Sequence, residues 1–385
     1  MKKVPIIMLL VVGLLLTVLV GCAKSNDQGT TVQAATPAPA ASVAPVAPSQ
    51  PPVTSVAPYT GEPITMKVAW AETADPKSHP VSAGMTVFKS TVENLTGGKL
   101  KVELYPAGQL GDAKSMLEQV EHGIIHSCAS IPSGLIAGSY YDVFNIFDIP
   151  YLFRSDLVAW ETLNPSAPFF KEVADGMADY TGIRPLGFFM EGRRHFTNSV
   201  REIRTPQDMK GLKIRTMEVP AHMEMVKAMG ATPTPVSWLE LYSALQTGVV
   251  DGQENPILNI QYLNAPEVQK YLTLDGHITL LNVWTVNEEW FNDLPEALQV
   301  AIKEAVYQSL IVCRGISELS NTLGVNELAQ KGMQVYAPSK AELEEFQKVT
   351  QNAVLPWVEK NISDKDMLDR LMQALNNTEV NLMNL

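Results

Sequence analysis

A short strand-like segment ends in an arginine whose position raises a chemical question. In "KGLKIRTMEVP", residues 210–220, alternate apolar positions fall on one side of a strand and Arg215 lies at its far end, beside Met217. A guanidinium keeps its charge at any ordinary pH, and burying it without a partner is costly. The pattern therefore predicts an anionic group next to Arg215.

Two further polar residues follow predicted strands in the same half of the chain. Arg194 comes after the strand "RPLGFFM" and the turn "EGR", and Asn255 ends the strand "VVDGQEN". Ligands of open α/β sheets bind beyond the carboxyl ends of the strands, so we expect Arg194, Arg215 and Asn255 to converge. Two guanidinium forks and an amide suit a carboxylate, which accepts paired N–H bonds. The predicted ligand is a small carboxylate.

Each of these residues also has a plain structural interpretation. An arginine at a strand end is usually solvated or ion-paired, and Arg193, Arg201 and Arg204 lie close to Arg194 in the sequence. Asn255 belongs to "ENP", which can be a turn before a helix that starts at Pro256. The residue types alone leave both interpretations open.

Three more residues are candidates for the walls of the same site. Trp238 lies in "SWLE", where Ser237 and Glu240 have the spacing of a capping box, and its indole either packs in the core or lines the pocket. After the first predicted strand, "WAETADPKSHP" offers Glu72 and His79 to hydroxyl groups or a second carboxylate. Because His79 precedes a proline and can instead cap the next helix, Glu72 is the stronger candidate.

The histidines and glycines form no metal or cofactor motif. His122 and His126 have the i,i+4 spacing of a zinc pair, but Gly123 lies between them at a predicted helix end and no nearby residue supplies a third ligand. The chain has no GxxxxGK[ST] loop and no Gly-x-Ser-x-Gly elbow, and its histidines form no evident triad. We therefore expect no metal, no cofactor and no enzymatic activity.

Alternating strand-like and helix-like segments predict the two lobes that would position these residues. Strand and helix units from "ITMKVAWA" to "IIHSCAS" belong to a first lobe, about 63–183, and a series from "RPLGFFM" to "VVDGQEN" belongs to a second lobe, about 184–275. C-terminal segments add to both lobes: "HITLLNVWTVN" can pass back between them, and a long helical pattern runs from Pro295 to about Lys331. The fold class is α/β with a mainly parallel sheet, and a cleft between lobes would hold a small ligand.

The charge balance disfavours one class of partner. The chain has 385 residues, 46% of them hydrophobic, so it can bury a large core, and its net charge is −12. Binding to a phosphate backbone needs a cationic surface, so a nucleic-acid partner is not expected. An acidic protein can still hold a small basic pocket for an anionic ligand.

The N-terminal segment has the layout of an export signal. Residues 1–21 combine two lysines, an apolar run and small residues, and "LVGC" at 19–22 resembles a bacterial lipobox. The resemblance implies cleavage before Cys22 and lipid attachment to its sulfur; a retained transmembrane anchor is the alternative. Residues 22–62 are rich in Ala, Pro, Ser and Thr without apolar periodicity, which predicts a disordered tether. The folded part would be extracytoplasmic and held near a membrane.

Two cysteines remain in the predicted exported part. Cys128 falls in a predicted strand and Cys313 in a predicted helix, and both patterns indicate burial. Export to an oxidising compartment permits a disulfide between them. Because the sequence does not place their Cα atoms within disulfide reach, we favour two inert thiols.

The second half of the chain carries a resemblance to a known family. The segment "MKGLKIRTMEVPAHMEMVKAMGATPTPVSWLELYSALQTGVVDGQENP", with "GRRHFTN" before it, resembles the DctP-type substrate-binding subunits of tripartite ATP-independent periplasmic (TRAP) transporters. The similarity covers about residue 63 to the end. It implies a two-lobed periplasmic-binding-protein fold, type II-like, with a cleft between the lobes and a long C-terminal helix. It also implies capture of an organic acid and delivery to the small and large integral membrane subunits.

The resemblance assigns roles to individual residues. Arg215 matches the arginine that pairs with the ligand carboxylate, Arg194 the second basic contact, and Asn255 the amide contact. Trp238 stands where phenylalanine is usual, and with Trp284 it would accommodate an aromatic or sugar-ring acid as readily as a four-carbon diacid. We expect a monomer. A secreted enzyme acting on an organic acid and a receptor that reports to a signalling protein are the alternative functions.

Overall fold

A computed structural model of the chain describes residues 57–384. The predicted signal peptide, Cys22 and most of the predicted tether lie outside these residues, so their assignment stays a prediction. Within residues 57–384, no helix is both long enough and apolar enough to cross a membrane.

The strands of the described part belong to one mixed sheet. They are β1 (Ile64–Ala69), β2 (Leu100–Tyr105), β3 (Ser127–Pro132), β4 (Ile183–Asn198), β5 (Lys213–Thr216), β6 (Thr232–Pro235), β7 (Gly252–Pro256), β8 (Tyr271–Asn287) and β9 (Gln334–Tyr336). The order is β2-β1-β3-β8-β4-β7-β5-β6, with β9 paired to β8. Parallel strands β1, β2 and β3 form the sheet of the first lobe, and β5, β6 and β7 form that of the second.

Two long strands are shared by the lobes. β4 and β8 are antiparallel to each other and pair along nearly their whole length; β3 pairs with β8 on one side, and β7 pairs with β4 on the other. One strand carries the chain into the second lobe and the other carries it back, so they must run in opposite directions. The prediction that "HITLLNVWTVN" passes between lobes is confirmed, whereas the mainly parallel sheet holds only for the outer strands.

Helices cover both faces of the sheet. They are α1 (Pro80–Leu95), α2 (Ala113–Glu121), α3 (Ser133–Ser139), α4 (Asp156–Leu163), α5 (Pro168–Thr181), α6 (Pro220–Ala228), α7 (Leu241–Gln246), α8 (Ile257–Tyr262), α9 (Glu288–Asp293), α10 (Glu296–Gln330), α11 (Lys340–Asn361) and α12 (Met367–Met383). The predicted long helix is confirmed as α10, with 35 residues. Sequence periodicity did not identify α3, α4, α5 or α12.

The predicted turn "EGR" after the first strand of the second lobe is wrong. β4 continues through it, and the pairing with β8 shifts register between Met190 and Gly192 and again between Arg194 and Phe196. Gly192 has φ of 104°, a left-handed conformation that glycine adopts readily, and a Cβ there would lie 2.2 Å from Asn321 Nδ2. A bulge of this kind bends a strand and re-aims its side chains. Arg194 therefore projects from within β4.

Candidate ligand-binding site

A cavity of about 280 Å³ lies where the two lobes meet. This is just below the roughly 300–1,000 Å³ of common ligand pockets, so it suits a small molecule. First-lobe residues, second-lobe residues and the shared strands all contribute to its walls. The lining includes five of the residues that the sequence singled out for ligand binding: Glu72, Arg194, Arg215, Trp238 and Asn255.

Arg215 is buried in the second-lobe wall, and no carboxylate of the described residues pairs with it. Its side chain is 1% exposed, and its Nε donates to the Val236 carbonyl oxygen at 2.8 Å. This is the side chain's only hydrogen bond within the described residues. Burial, together with the positive charge of Arg194, lowers the pKa of Arg215 to about 9, although Glu254 acts in the opposite direction. Its two terminal nitrogens therefore make no hydrogen bond to the described residues and can donate to an anion.

Arg194 already has an anionic partner. It is fully buried and its Nε and Nη2 donate to the two carboxylate oxygens of Glu254, the Nη2–Oε1 distance being 2.9 Å. Burial would raise the pKa of Glu254, but Arg194 and two histidines hold it well below its usual range. Only Nη1 of Arg194 has no hydrogen-bond partner in residues 57–384. Arg194 thus offers a ligand one nitrogen and not the predicted fork.

Buried charged groups also surround Glu254, the carboxylate partner of Arg194. His277 Nε2 lies 3.2 Å from Glu254 Oε2, and its Nδ1 lies 2.7 Å from Asp275 Oδ2. Burial alone would lower the pKa of His277, but Asp275 and Glu254 raise it to about 9. His222 has a raised pKa for the same reason, because its Nε2 lies 2.9 Å from Asp148 Oδ1 and its Nδ1 lies 3.7 Å from Glu254. The negative charge of Glu254 is therefore balanced by Arg194 and by the two histidines.

Asn255 is held in a fixed orientation at the end of β7. It is 3% exposed, and its Nδ2 donates to Gln253 Oε1 at 2.5 Å. Gln253 in turn donates to Thr197 Oγ1 at 2.8 Å. An amide has two N–H donors, so one N–H and the carbonyl oxygen of Asn255 are left for a ligand. The residue is both the strand end and the residue before the Pro256 cap of α8, so its two sequence interpretations are compatible.

The first-lobe wall presents an unpartnered carboxylate oxygen. Glu72 Oε1 accepts a hydrogen bond from Ser130 Oγ at 2.6 Å, whereas Oε2 is buried with no partner among the described residues. Burial, and secondarily Glu191, raise the pKa of Glu72 to about 7, against the opposing influence of His79 and Ser130. Ser130 adopts a left-handed φ of 63°, which places its hydroxyl beside Glu72. This wall therefore offers an acceptor.

Two asparagines that sequence reasoning missed also line the cavity, Asn259 on α8 and Asn282 on the shared strand β8. Buried Glu191 accepts from Asn259 Nδ2 at 2.9 Å and from Asn282 Nδ2 at 2.7 Å, and both asparagines line the cavity. The Oδ1 of Asn282 is buried without a partner in the described part. His79 does not line the cavity; it accepts from Val81 N at 3.3 Å as the cap of α1, as its alternative interpretation predicted, and its Nε2 lies 3.1 Å from Asn259 Oδ1. No spacing signal marks the asparagines: Asn282 reaches the cavity through the register of β8, and Asn259 lies on the short helix α8.

The two candidate tryptophans have different environments. Trp238 lines the cavity and stacks on Tyr262, with ring centroids 6.2 Å apart. The capping box predicted around it does not form, since Ser237 Oγ bonds the Glu240 carboxylate at 3.0 Å and caps no backbone N–H. Trp284 is fully buried and stacks on a core phenylalanine, so its expected role in the pocket is wrong. Of the two tryptophans, only Trp238 can limit the size of the ligand.

The remaining histidine and cysteine candidates do not line the cavity. His122 is an exposed residue at the end of α2, while His126 Nδ1 accepts from the Lys67 backbone N–H at 2.8 Å, so the two rings do not act as a pair. No group of three potential metal ligands occurs within residues 57–384. Cys128 and Cys313 are free and buried, and burial raises the pKa of both thiols, that of Cys128 to about 12.

Known proteins match the chain over most of the described part. The family model DctP, "Bacterial extracellular solute-binding protein, family 7", matches residues 71–361. A solute-binding protein from Verminephrobacter eiseniae is 36% identical over 248 residues, which are 64% of this chain and 72% of that protein. The C4-dicarboxylate-binding periplasmic protein DctP from Rhodobacter capsulatus is 29% identical over 293 residues, 74% of this chain and 83% of that protein.

A solved structure has the same two-lobed architecture. The sugar acid binding protein DctPAm from Advenella mimigardefordensis, in complex with galactonate, is 27% identical and superimposes with a TM-score of 0.76. The match covers 82% of this chain and 99% of that protein. The α/β fold with two lobes and a long C-terminal helix is thereby confirmed.

The substitution Glu254→Gln tests the buried support of Arg194. It leaves the arginine and the facing histidines without their shared anion, so we expect a loss of about 3 to 5 kcal/mol in the free energy of unfolding, measured in denaturant. Glu224→Gln is the matched control, because that carboxylate lies in an ion pair with Lys227 and is 34% exposed. The control should change stability by less than about 0.5 kcal/mol. Equal losses in the two variants would contradict the role of Glu254.

Proposed function

Because the chain belongs to the bacterial extracellular solute-binding proteins of family 7, we propose that it captures a small hydroxylated carboxylate for TRAP membrane subunits. Proteins of this family bind substrates for transport and are not enzymes. One observation carries the choice of ligand: unpaired N–H donors line the second-lobe side of the cavity, and unpaired oxygen acceptors line the first-lobe side.

The donor side suits a carboxylate. Arg215, Arg194 and Asn255 all line the same cavity, and Nη1 of Arg194 is buried with no hydrogen-bond partner in the described part of the chain. A carboxylate bound there would supply the charge that buried Arg215 lacks, and each charge-assisted hydrogen bond contributes roughly 1.5–3 kcal/mol. The anion would also favour the protonated form of Arg215, whose pKa is lowered to about 9 in its absence.

The acceptor side favours hydroxyl groups over a second carboxylate. Glu72 Oε2 and Asn282 Oδ1 are buried oxygens that need donors, and hydroxyl groups supply them. A second ligand carboxylate would lie beside ionised Glu72 and be repelled. A hydroxylated acid therefore fits both sides of the cavity, whereas a four-carbon diacid fits only when Glu72 is protonated.

A ligand that spans the cavity would hold the lobes together. Its carboxylate would contact the second lobe and its hydroxyl groups the first, so it would bind the closed arrangement better than an open one and shift the population towards closure. The closed surface is then what the membrane subunits would recognise. A single chain supplies the whole cavity, so the receptor can function as a monomer.

The lipid anchor belongs to the same proposal. Cys22 follows a lipobox-like sequence, and residues 22–62 would connect the lipid to the folded part. At about 3.1 Å per residue this tether could extend on the order of 120 Å from the membrane. The protein would then be extracytoplasmic, lipid-anchored and close to its membrane subunits.

Arg215→Lys should weaken binding of a hydroxylated acid such as galactonate by at least about tenfold, because a point charge replaces a planar fork. Isothermal titration calorimetry measures the effect. Arg204→Lys is the control, since Arg204 is 60% exposed and pairs with Glu202 at the surface. Affinity that is unchanged in Arg215→Lys would rule out the proposed carboxylate contact.

Glu72→Gln should have opposite effects on ligand binding and stability. Loss of the charged acceptor should weaken galactonate binding by about tenfold and leave succinate binding equal or stronger. The folded pKa of about 7 lies above the ordinary value of 4.5, so ionised Glu72 destabilises the folded state increasingly as pH rises from 4.5 to 7, and fully above pH 7. At pH 8 the ligand-free variant should therefore gain up to about 3 kcal/mol.

Titrations across pH separate this role from simple packing. Galactonate binding to the unmodified protein should strengthen as pH rises through 7, whereas succinate binding should weaken, and Glu72→Gln should remove both trends. If both acids instead followed the same pH dependence in the two proteins, Glu72 would not distinguish hydroxyl groups from carboxylates, and the hydroxylated ligand would be the wrong choice.

Cys22→Ala tests the anchor independently of the site. The variant should leave the membrane fraction of expressing cells and keep its ligand affinity, since the cysteine lies far from the cavity in sequence and the folded part has its own ligand contacts. Fractionation followed by immunoblotting gives the readout. Continued membrane association would favour an uncleaved N-terminal anchor.

A further inference from the structure

Glu191 is a buried carboxylate that has no cationic partner in the described part of the chain. It lies at the bulge of β4, and its side chain is 0% exposed. Its Oε2 and Oε1 accept hydrogen bonds from the side-chain amides of Asn259 and Asn282, respectively. Burying a carboxylate without a cation is costly even when it is hydrogen-bonded. Stability alone therefore does not account for Glu191.

The main chain of Glu191 is held by the long helix α10. Asn321 Nδ2 donates to the Glu191 carbonyl oxygen at 2.7 Å, and Asn321 Oδ1 accepts from the Leu258 N–H at 3.0 Å. A Cβ at Gly192 would lie 2.2 Å from Asn321 Nδ2, so a glycine beside Glu191 is what permits this approach. Leu258 precedes Asn259 on α8. The side chain of Asn321 thus fixes both the carboxylate and the helix that carries one of its donors.

The two asparagines differ in what their amide oxygens contact. Asn259 Nδ2 donates to Glu191 Oε2 at 2.9 Å, and Asn259 Oδ1 lies 3.1 Å from His79 Nε2. Because His79 Nδ1 accepts from a backbone N–H, its Nε2 carries the proton and donates to Asn259. The orientation of Asn259 is therefore fixed at both ends. Asn282 Nδ2 donates to Glu191 Oε1 at 2.7 Å, but its Oδ1 is buried without a partner in residues 57–384.

We propose that Glu191 is a positioning residue, which holds Asn282 so that its amide oxygen is an acceptor for the ligand. Asn282 lines the cavity and Glu191 does not, so Glu191 acts through Asn282. An ionised carboxylate accepts hydrogen bonds and donates none, so a flipped Asn282 would place its oxygen against Glu191 Oε1. Glu191 is the only group of the described residues that bonds the Asn282 side chain. This role rests on the proposed function, because it concerns the same ligand cavity.

A fixed acceptor at Asn282 raises the number of donors that the ligand must supply. Oε2 of Glu72 is a second buried oxygen without a donor in the described part of the chain. A hydroxyl group has one proton, so the two oxygens together need two O–H donors. An acid with a single hydroxyl group would leave one acceptor unpaired, which costs affinity. Through Asn282, Glu191 therefore favours acids that carry at least two hydroxyl groups.

Glu191→Gln tests the role with little change in side-chain shape. The new amide can accept from Asn259 and donate to Asn282 Oδ1, so Asn282 should flip and present an N–H to the ligand. At pH 8, above the pKa of about 7 of Glu72, galactonate should bind about tenfold more weakly in calorimetry, and its preference over succinate should fall by at least about tenfold. Glu344→Gln, at a 64% exposed position of α11, removes the same charge and should leave both affinities unchanged. An unchanged preference in folded Glu191→Gln would overturn the proposal.

A double variant exchanges donor and acceptor between the two positions. When Asn282→Asp is added to Glu191→Gln, the new glutamine donates to one oxygen of the new aspartate, and the other oxygen is again an acceptor for the ligand. The preference for galactonate over succinate should return to within about threefold of that of the unmodified protein. Asn282→Asp alone should lower the melting temperature, because two buried carboxylates would face each other. A folded double variant without recovery of the preference would contradict the role of Glu191.

Hydrogen exchange of the Asn282 side-chain amide tests the orientation without any ligand. In the full-length protein labelled with ¹⁵N-asparagine, the N–H bonded to buried Glu191 should exchange with water at least about tenfold more slowly than in Glu191→Gln, where the amide faces the cavity. Rapid exchange in the unmodified protein would overturn the proposal even when none of the variants folds. Slow exchange in a protein that binds no hydroxylated acid would instead support the orientation of Asn282 and reject the proposed function.

Discussion

The site depends on a buried arginine, Arg215, that has no carboxylate partner in the part of the chain that the structure describes. Removing a guanidinium from water is costly, and within residues 57–384 the Arg215 side chain makes only one hydrogen bond, to the Val236 carbonyl oxygen. The neighbouring Arg194 shows what compensation within the chain looks like, since Glu254 contacts it through both carboxylate oxygens. The guanidinium of Arg215 is thus left without a facing anion among the described residues. An anionic ligand supplies that charge, and lobe closure strengthens the interaction by excluding water.

The shared strands β4 and β8 hold the side chains of the site in position when no ligand is bound. β4 and β8 cross from one lobe to the other, and the bulge at Gly192 lies where β4 passes the cavity. Arg194 projects from this part of β4, and its carboxylate partner comes from β7 in the second lobe. Because Glu254 is also in contact with buried histidines, its position is fixed by several charged groups at once. The donor side of the cavity is therefore rigid before any ligand arrives, which reduces the entropy lost on binding.

The sequence predicted the residues of the site better than their pairings. Strand-end reasoning placed Arg215 and Asn255 correctly on the cavity, because residue order along a short parallel strand determines which end of the sheet they occupy. It could not find Asn282, which lies in the middle of a long strand and reaches the cavity only through register with β4. It also took a bulge for a turn at Gly192, since a glycine that permits a left-handed φ is common to both. The long helix α10 was predictable from length and periodicity, whereas α4 has only eight residues and its charged residues Asp156 and Glu161 do not lie on one face.

Unsatisfied groups distinguish the two walls and therefore the class of ligand. A cavity built only for anions would be lined by donors throughout, but Glu72 adds the oxygen Oε2, an acceptor that has no donor among the described residues. Burial makes ionised Glu72 unfavourable in the empty protein, as its pKa of about 7 shows. A residue that lowers stability in this way is tolerated where it improves discrimination between ligands. A ligand analogue that lacks the hydroxyl group would leave the buried Glu72 carboxylate unpaired. Replacing that single carboxylate by a neutral donor would convert the first-lobe wall into one that accepts a second acid group, while the arginine side stays the same.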